Sequence, residues 1–169
     1  MSAFTEPLLV SPLDDGRTWV TMRPFGFDVG AEGSGDRVDV ALGFMTDFAS
    51  IPRPLWVLLP KWGRYGNASV IHDWLYWRQE RLRPAADRIF LEGMVALRVG
   101  WLTRTLIYLA VRTFGGLAWV RNRADRRSGF DRVLRPLVLV RGMSSNRRGQ
   151  YVQLARYAAG RISASVAGS

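Results

Sequence analysis

The chain has 169 residues, no cysteine, a single histidine, a formal net charge of +10 and 48% hydrophobic residues. That length suffices for one domain with a real core rather than two, and the hydrophobic content excludes global disorder. Without cysteine, disulfide frameworks, thiolate metal sites and thiol nucleophiles are all excluded.

Every cation except Lys61 is an arginine. Such a balance favours contact with phosphates, either of nucleic acid or of an anionic membrane surface. The competing reading is that arginine beside much Ala and Gly reflects codon usage. Residues 1–7 show neither the basic start nor the apolar run of a signal peptide.

From residue 8 to 42 the pattern is strand-like. Residues 17–23 alternate polar and apolar side chains with β-branched enrichment, and residues 37–42 alternate again. Pro24, Gly26 and Gly30 punctuate the interval, and residues 33–36 read as a turn. These features predict a small antiparallel sheet in which 37–42 is the return strand. Residues 43–52 follow as a loop, where Asp47 and Ser50 suit backbone capping. Pro52 and Pro54 predict a rigid entry into the apolar run 55–59, which Pro60 ends.

Residues 66–69 open the first long helix, with Asn67 as the expected N-cap. Val70, Ile71, Trp74 and Leu75 form its apolar stripe, while His72 and Tyr76 lie four apart on a neighbouring stripe. A polar connection over 78–83 leads to Pro84 in the first turn of a second helix, which turns Ile89, Phe90, Met94 and Leu97 inward. Gly93 interrupts that helix at a cost of about 1 kcal/mol unless close packing requires it. The third helix is expected over 102–119. Arg104, Arg112 and Gly115-Gly116 break its apolar run, so it reads as buried or interfacial rather than membrane-spanning. Residues 120–148 carry nine arginines against two aspartates. They predict a basic extension over 120–169 beyond a globular domain of 1–119, with a short strand at 134–140 and a weak helix from 149.

The chemistry gathers around His72. A lone histidine acts as a general base when a carboxylate bonds its Nδ1–H and sets the tautomer. In an antiparallel hairpin of the first two helices, a rise of about 1.5 Å per residue puts Asp87 level with Tyr76 and within about a turn of His72. The three side chains are therefore expected to meet. Asp73 points about 100° away around the helix and is free for another task, such as ligating a hard cation with loop carbonyls. With one histidine and no cysteine, calcium or magnesium in an oxygen-rich site is the only metal centre to entertain. The competing reading is that His72, Asp87 and Tyr76 form a satisfied buried network that fixes helix packing. Trp74, Trp77 and Phe90 read as core.

Residues 43–52 (GFMTDFASIP), 70–76 (VIHDWLY), 86–94 (ADRIFLEGM) and 106–115 (LIYLAVRTFG) occur in that order. Together, over about residues 17–119, they resemble a family of uncharacterised proteins, domain of unknown function thirteen-fifty-three, frequent in bacteriophages and prophages. That resemblance implies a phage-related origin, with the protein in the virion or the host cytoplasm. More loosely, the His72–Tyr76 and Ala86–Phe90 segments resemble the His-Asp helix and the second-helix aspartate motif of phospholipase A2. That resemblance implies that His72 activates water, Asp87 orients the imidazole, Tyr76 bonds Asp87, and Asp73, with Asp47 from the preceding loop, holds calcium, which polarises an ester carbonyl. The cysteines that flank those motifs in secreted members are absent, and residues 43–50 stand where the glycine-rich calcium loop would be.

The expected fold is therefore α+β: a small N-terminal antiparallel sheet on about three helices, with a basic C-terminal extension. The expected function is a phage-related hydrolase acting on acyl esters of membrane lipid. Its alternative is a non-enzymatic virion or lysis-cassette protein that contacts other phage structural proteins. Nucleic-acid binding through the arginine-rich end is the weakest expectation, because only Phe130 offers an aromatic platform there.

Overall fold

A computed structural model describes residues 1–15, 17–47 and 64–134 of the chain. The expectations placed on Ser50, on residues 55–59, on a strand at 134–140 and on a helix from 149 lie outside the described residues, save Leu134 itself. The fold is α+β: among the described residues, six short strands and then three helices.

The strands are β1 (Ala3–Phe4), β2 (Val10–Pro12), β3 (Trp19–Thr21), β4 (Phe25–Asp28), β5 (Arg37–Val40) and β6 (Met45–Thr46). They form two three-stranded antiparallel sheets, ordered β1-β4-β5 and β2-β3-β6. The expected small antiparallel sheet is thus two sheets, and 37–42 does not return onto 17–23. β5 pairs instead with β4, the stretch read as punctuation, with Phe25 opposite Val40 and Phe27 opposite Val38. The reason is burial: Phe25 and Phe27 are core residues, and pairing them with two buried valines puts four apolar side chains into one cluster. Gly26 lies between them where the Arg37–Asp39 ion pair crosses the strand. A Cβ there would sit 2.7 Å from Arg37 Nε and 2.8 Å from Asp39 Oδ1.

The helices are α1 (Gly66–Arg78), α2 (Arg83–Ala96) and α3 (Trp101–Arg127). Pro84 stands in the first turn of α2 as expected. Asn67 does not cap α1: the helix begins at Gly66, Tyr65 occupies the cap position, and no side chain bonds the free N–H groups. Every residue from Ala68 to Trp77 is buried, so α1 is the central helix rather than an amphipathic one. Its packing against α2 explains Gly93, where a Cβ would lie 3.0 Å from Ala68 Cβ and 3.5 Å from Phe4 Cζ.

Helix α3 runs eight residues past Trp119, so the expected domain boundary at 119 falls inside it. Those extra turns are tied to the core. Asn122 Nδ2 donates to the Tyr76 carbonyl (3.2 Å) and Arg126 Nη1 to that of Trp77 (3.1 Å). The last carbonyls of a helix have no partner within it, and α3 supplies partners for those of α1. Beyond α3, Phe130 meets Trp77 edge to face and Val133 bridges Phe44.

Candidate functional site

The site grows from the α1–α2 hairpin. His72 and Tyr76, one helical turn apart on α1, have ring centroids 4.1 Å apart. Phe90 of α2 stacks on the other side of the imidazole, 4.6 Å away with a 21° interplanar angle. Phe90 is thus core, as expected, and also fixes the plane of the histidine. Asp87 rises from the first turns of α2 into this group and is, like His72, 0% exposed.

Both carboxylate oxygens of Asp87 are engaged. Oδ1 lies 3.1 Å from His72 Nε2 and accepts a 2.6 Å hydrogen bond from the Tyr76 hydroxyl. Oδ2 accepts one from Arg112 Nη1 of α3 at 2.9 Å, and Arg83 Nη1 lies 3.8 Å away. Burial alone pushes the Asp87 pKa up, but the bonds from His72, Tyr76 and Arg112 outweigh it and hold the pKa below the usual carboxylate value. The Tyr76 phenol is pushed far above its ordinary range by its own burial and then by its bond to Asp87. Asp87 is therefore an anion and Tyr76 a neutral donor at neutral pH.

This charge state sets the histidine tautomer. An ionised carboxylate only accepts, so Nε2 carries the proton facing Asp87. The expected bond through Nδ1–H is corrected to Nε2–H: the ring reaches across to α2 with its far nitrogen. The lone pair of neutral His72 is then on Nδ1. That atom is one of three side-chain nitrogens and oxygens among the described residues that are buried without a hydrogen-bond partner, the others being Arg23 Nη2 and Asp125 Oδ2.

The remaining predicted residues are not part of this cluster. Asp73 is buried on the α1 side facing β6, where the Thr46 hydroxyl donates to its Oδ2. Asp47 follows β6 and is half-buried. Among the described residues no three His, Cys, Asp or Glu side chains come together as a metal site. Among the described residues the donors around Asp73 and Asp47 do not complete a calcium site.

Three partners of the site had no readable signal in the sequence. Arg112 stood as an interruption of an apolar run, and the structure makes it the counter-ion of Asp87. Gly115 stood as a helix breaker, and the structure puts it against Tyr76: a Cβ there would collide with the phenol oxygen and lie 3.3 Å from Cζ. Trp119 meets the same ring edge to face, with centroids 5.1 Å apart. A sequence shows none of these pairings, because each partner lies more than twenty positions away.

No solved structure matches the chain. It is 37% identical over 94 residues to the uncharacterised protein y4jT of Sinorhizobium fredii, a match that covers 54% of this chain and 27% of that protein. The chain thus spans about a quarter of the length of that relative. The model of one family matches residues 19–111, more than half of the chain and all of α1 and α2. The two-helix frame of the site is therefore the family's own segment, and the chain belongs to the family described as "Protein of unknown function (DUF1353)".

Proposed function

We propose that the chain is a hydrolase in which His72 Nδ1 is the general base, acting on acyl esters of membrane lipid and of phage-related origin. The observation that carries this reading is the unpartnered, fully buried Nδ1 opposite an Nε2 bonded to ionised Asp87. A buried acceptor without a partner costs about 1–3 kcal/mol, which a cluster serving packing alone has reason to avoid. In the proposed step Nδ1 takes a proton from water as the oxygen attacks the ester carbonyl carbon. The resulting imidazolium is stabilised by Asp87, and it returns the proton to the leaving alkoxide as the acyl C–O bond breaks, giving a carboxylic acid and an alcohol. Arg112 and Tyr76 hold the Asp87 carboxylate in place for this. The calcium assigned to Asp73 and Asp47 rests on the resemblance alone.

A second reading is favoured by the burial itself. His72 and Asp87 are both 0% exposed, and a base must be reached by water and substrate. In this reading the network holds three helices in register, and the chain is a non-enzymatic phage virion or lysis-cassette protein.

Since His72 is the only histidine, the two imidazole nitrogen signals in a nitrogen-15 NMR spectrum report its tautomer without ambiguity over which histidine they belong to. The hydrolase reading expects fatty-acid release from phospholipid vesicles and loss of release in folded His72→Ala. It also expects those signals to show the proton on Nε2 and the lone pair on Nδ1. No release from several lipid classes, with and without calcium, while the protein stays folded would establish the second reading. Release that persists in chelator removes the metal role of Asp73 and Asp47 and leaves His72 in place.

A further inference from the structure

Helix α3 is turned inside out. Its buried face, built around Ile107, Val111, Gly115 and Asn122, packs on the hairpin. Its outward face carries Leu102, Leu106, Leu109, Leu117 and Val120, all exposed, with Leu117 at 80%, while Phe114 is exposed at its flank. At about 100° per residue, the four leucines and the valine lie within about 60° of the direction opposite Val111. Trp101, 70% exposed, stands at one end. The exposed positions from 101 to 120 include no charged residue. Single exposed leucines need no explanation, but five exposed apolar side chains on one side of a helix over five turns, interrupted only by Thr105, Thr113 and Gly116, mark a docking surface.

The surrounding charge selects the occupant. α3 carries six arginines and one acid, Asp125. Arg121, Arg123 and Arg127 are exposed at the C-terminal end of the stripe, and Arg98 precedes its start. A second copy laid along the stripe, parallel or antiparallel, brings arginine against arginine with no acid on the face to pair them. The parts of this chain outside the described residues match no better. Residues 48–63 hold Arg53 and Lys61, residues 135–169 hold six arginines, and neither stretch holds an acid. What fits an uncharged apolar stripe rimmed by arginine is a surface that is anionic outside and apolar beneath, which is a bilayer containing acidic phospholipid.

We propose that the outer face of α3 is a membrane-docking surface, on which the helix lies in the plane of an anionic bilayer with its leucine stripe at the headgroup–acyl boundary. No helix among the described residues is long and apolar enough to cross a membrane, and α3 keeps its other face on the protein. The helix lies on the bilayer and does not span it. This inference stands apart from the role of His72, since binding needs no turnover.

The absence of cysteine allows a site-specific test on the full chain. Leu109→Cys carries a polarity-sensitive fluorophore, and Glu32→Cys on the turn between β4 and β5, outside α3, carries the same dye as control. The probes are vesicles of ether-linked phosphatidylcholine with and without ether-linked phosphatidylglycerol, which an esterase cannot cleave. The expected result is a blue shift at position 109 alone, on the phosphatidylglycerol vesicles, weakened by salt. Partition should fall by more than about tenfold when Leu106 and Leu117 are both changed to Glu in the labelled chain, because two buried leucines are lost. Three results overturn the proposal: no shift on anionic vesicles, equal binding to both vesicle types, or a dye already shielded in the free protein. In the last case, light scattering tells a dimer from coverage by the chain itself. Loss of lipid hydrolysis with docking intact would count against the role of His72 and not against this surface.

Discussion

The α1–α2–α3 junction around Asp87 and the outer face of α3 are opposites within one helical layer. At the junction, an imidazole and a carboxylate are fully buried, and the carboxylate is held by four partners from three helices, two of them partly exposed arginines. On the outer face, large apolar side chains stand in solvent with no charge among them. Burial therefore does not sort this protein by polarity alone. At the junction the bonds to Asp87 offset the desolvation of its charge, and removing any one partner leaves the others exposed to that cost. On the outer face nothing within the domain depends on the side chains. The two regions should thus respond in opposite ways to substitution, the first through stability and the second through association.

The largest effect should come from Asp87→Ala. It leaves a buried imidazole and phenol, and the partly exposed guanidinium of Arg112, without their acceptor, and a loss of about 3–5 kcal/mol is expected in urea unfolding. A loss below about 1 kcal/mol would mean that the junction is not sealed. Acid should reproduce part of this change in the unaltered chain. Asp87 has a lower pKa folded than unfolded, so its contribution is complete above about pH 4 and disappears as pH falls through the folded value. Unfolding midpoints across that acid range should therefore fall more steeply for the unaltered chain than for Asp87→Asn.

Two adjacent glycines sharpen the contrast at smaller magnitude. Gly115→Ala drives a methyl group into the Tyr76 phenol and should destabilise by about 1–3 kcal/mol despite the better helix propensity of alanine. Combining it with Tyr76→Phe should cost less than the sum of the two, because the colliding oxygen is gone. Gly116→Ala meets no atom within 4 Å and should stabilise by about 0.5–1 kcal/mol. Equal effects at 115 and 116 would contradict the close approach of α3 to Tyr76. The smallest effect belongs to the outer face. Leu109→Gln should change thermal stability by no more than about 0.5 kcal/mol while weakening vesicle binding.

Local chemistry and spacing made a good part of this protein legible in its sequence. The α+β class, the three helices and Pro84 at the start of α2 follow from periodicity and breakers. The meeting of His72, Tyr76 and Asp87 follows from helical rise alone, because a short hairpin leaves little freedom in height. Strand pairing was not legible. β3 and β5 both alternate, and only burial of Phe25 and Phe27 against Val38 and Val40 decides that β5 pairs with β4. The end of the domain was not legible either, since arginines past Trp119 look like a tail until Arg126 is seen on the Trp77 carbonyl. The nitrogen of His72 that faces Asp87 depends on the distance between two helix axes, which no spacing within one helix encodes. Likewise, a leucine on α3 reads as core in any window of sequence. Whether it meets the hairpin or the solvent depends on the rotation of the whole helix, and Arg112 and Gly115 set that rotation by anchoring α3 to Asp87 and Tyr76.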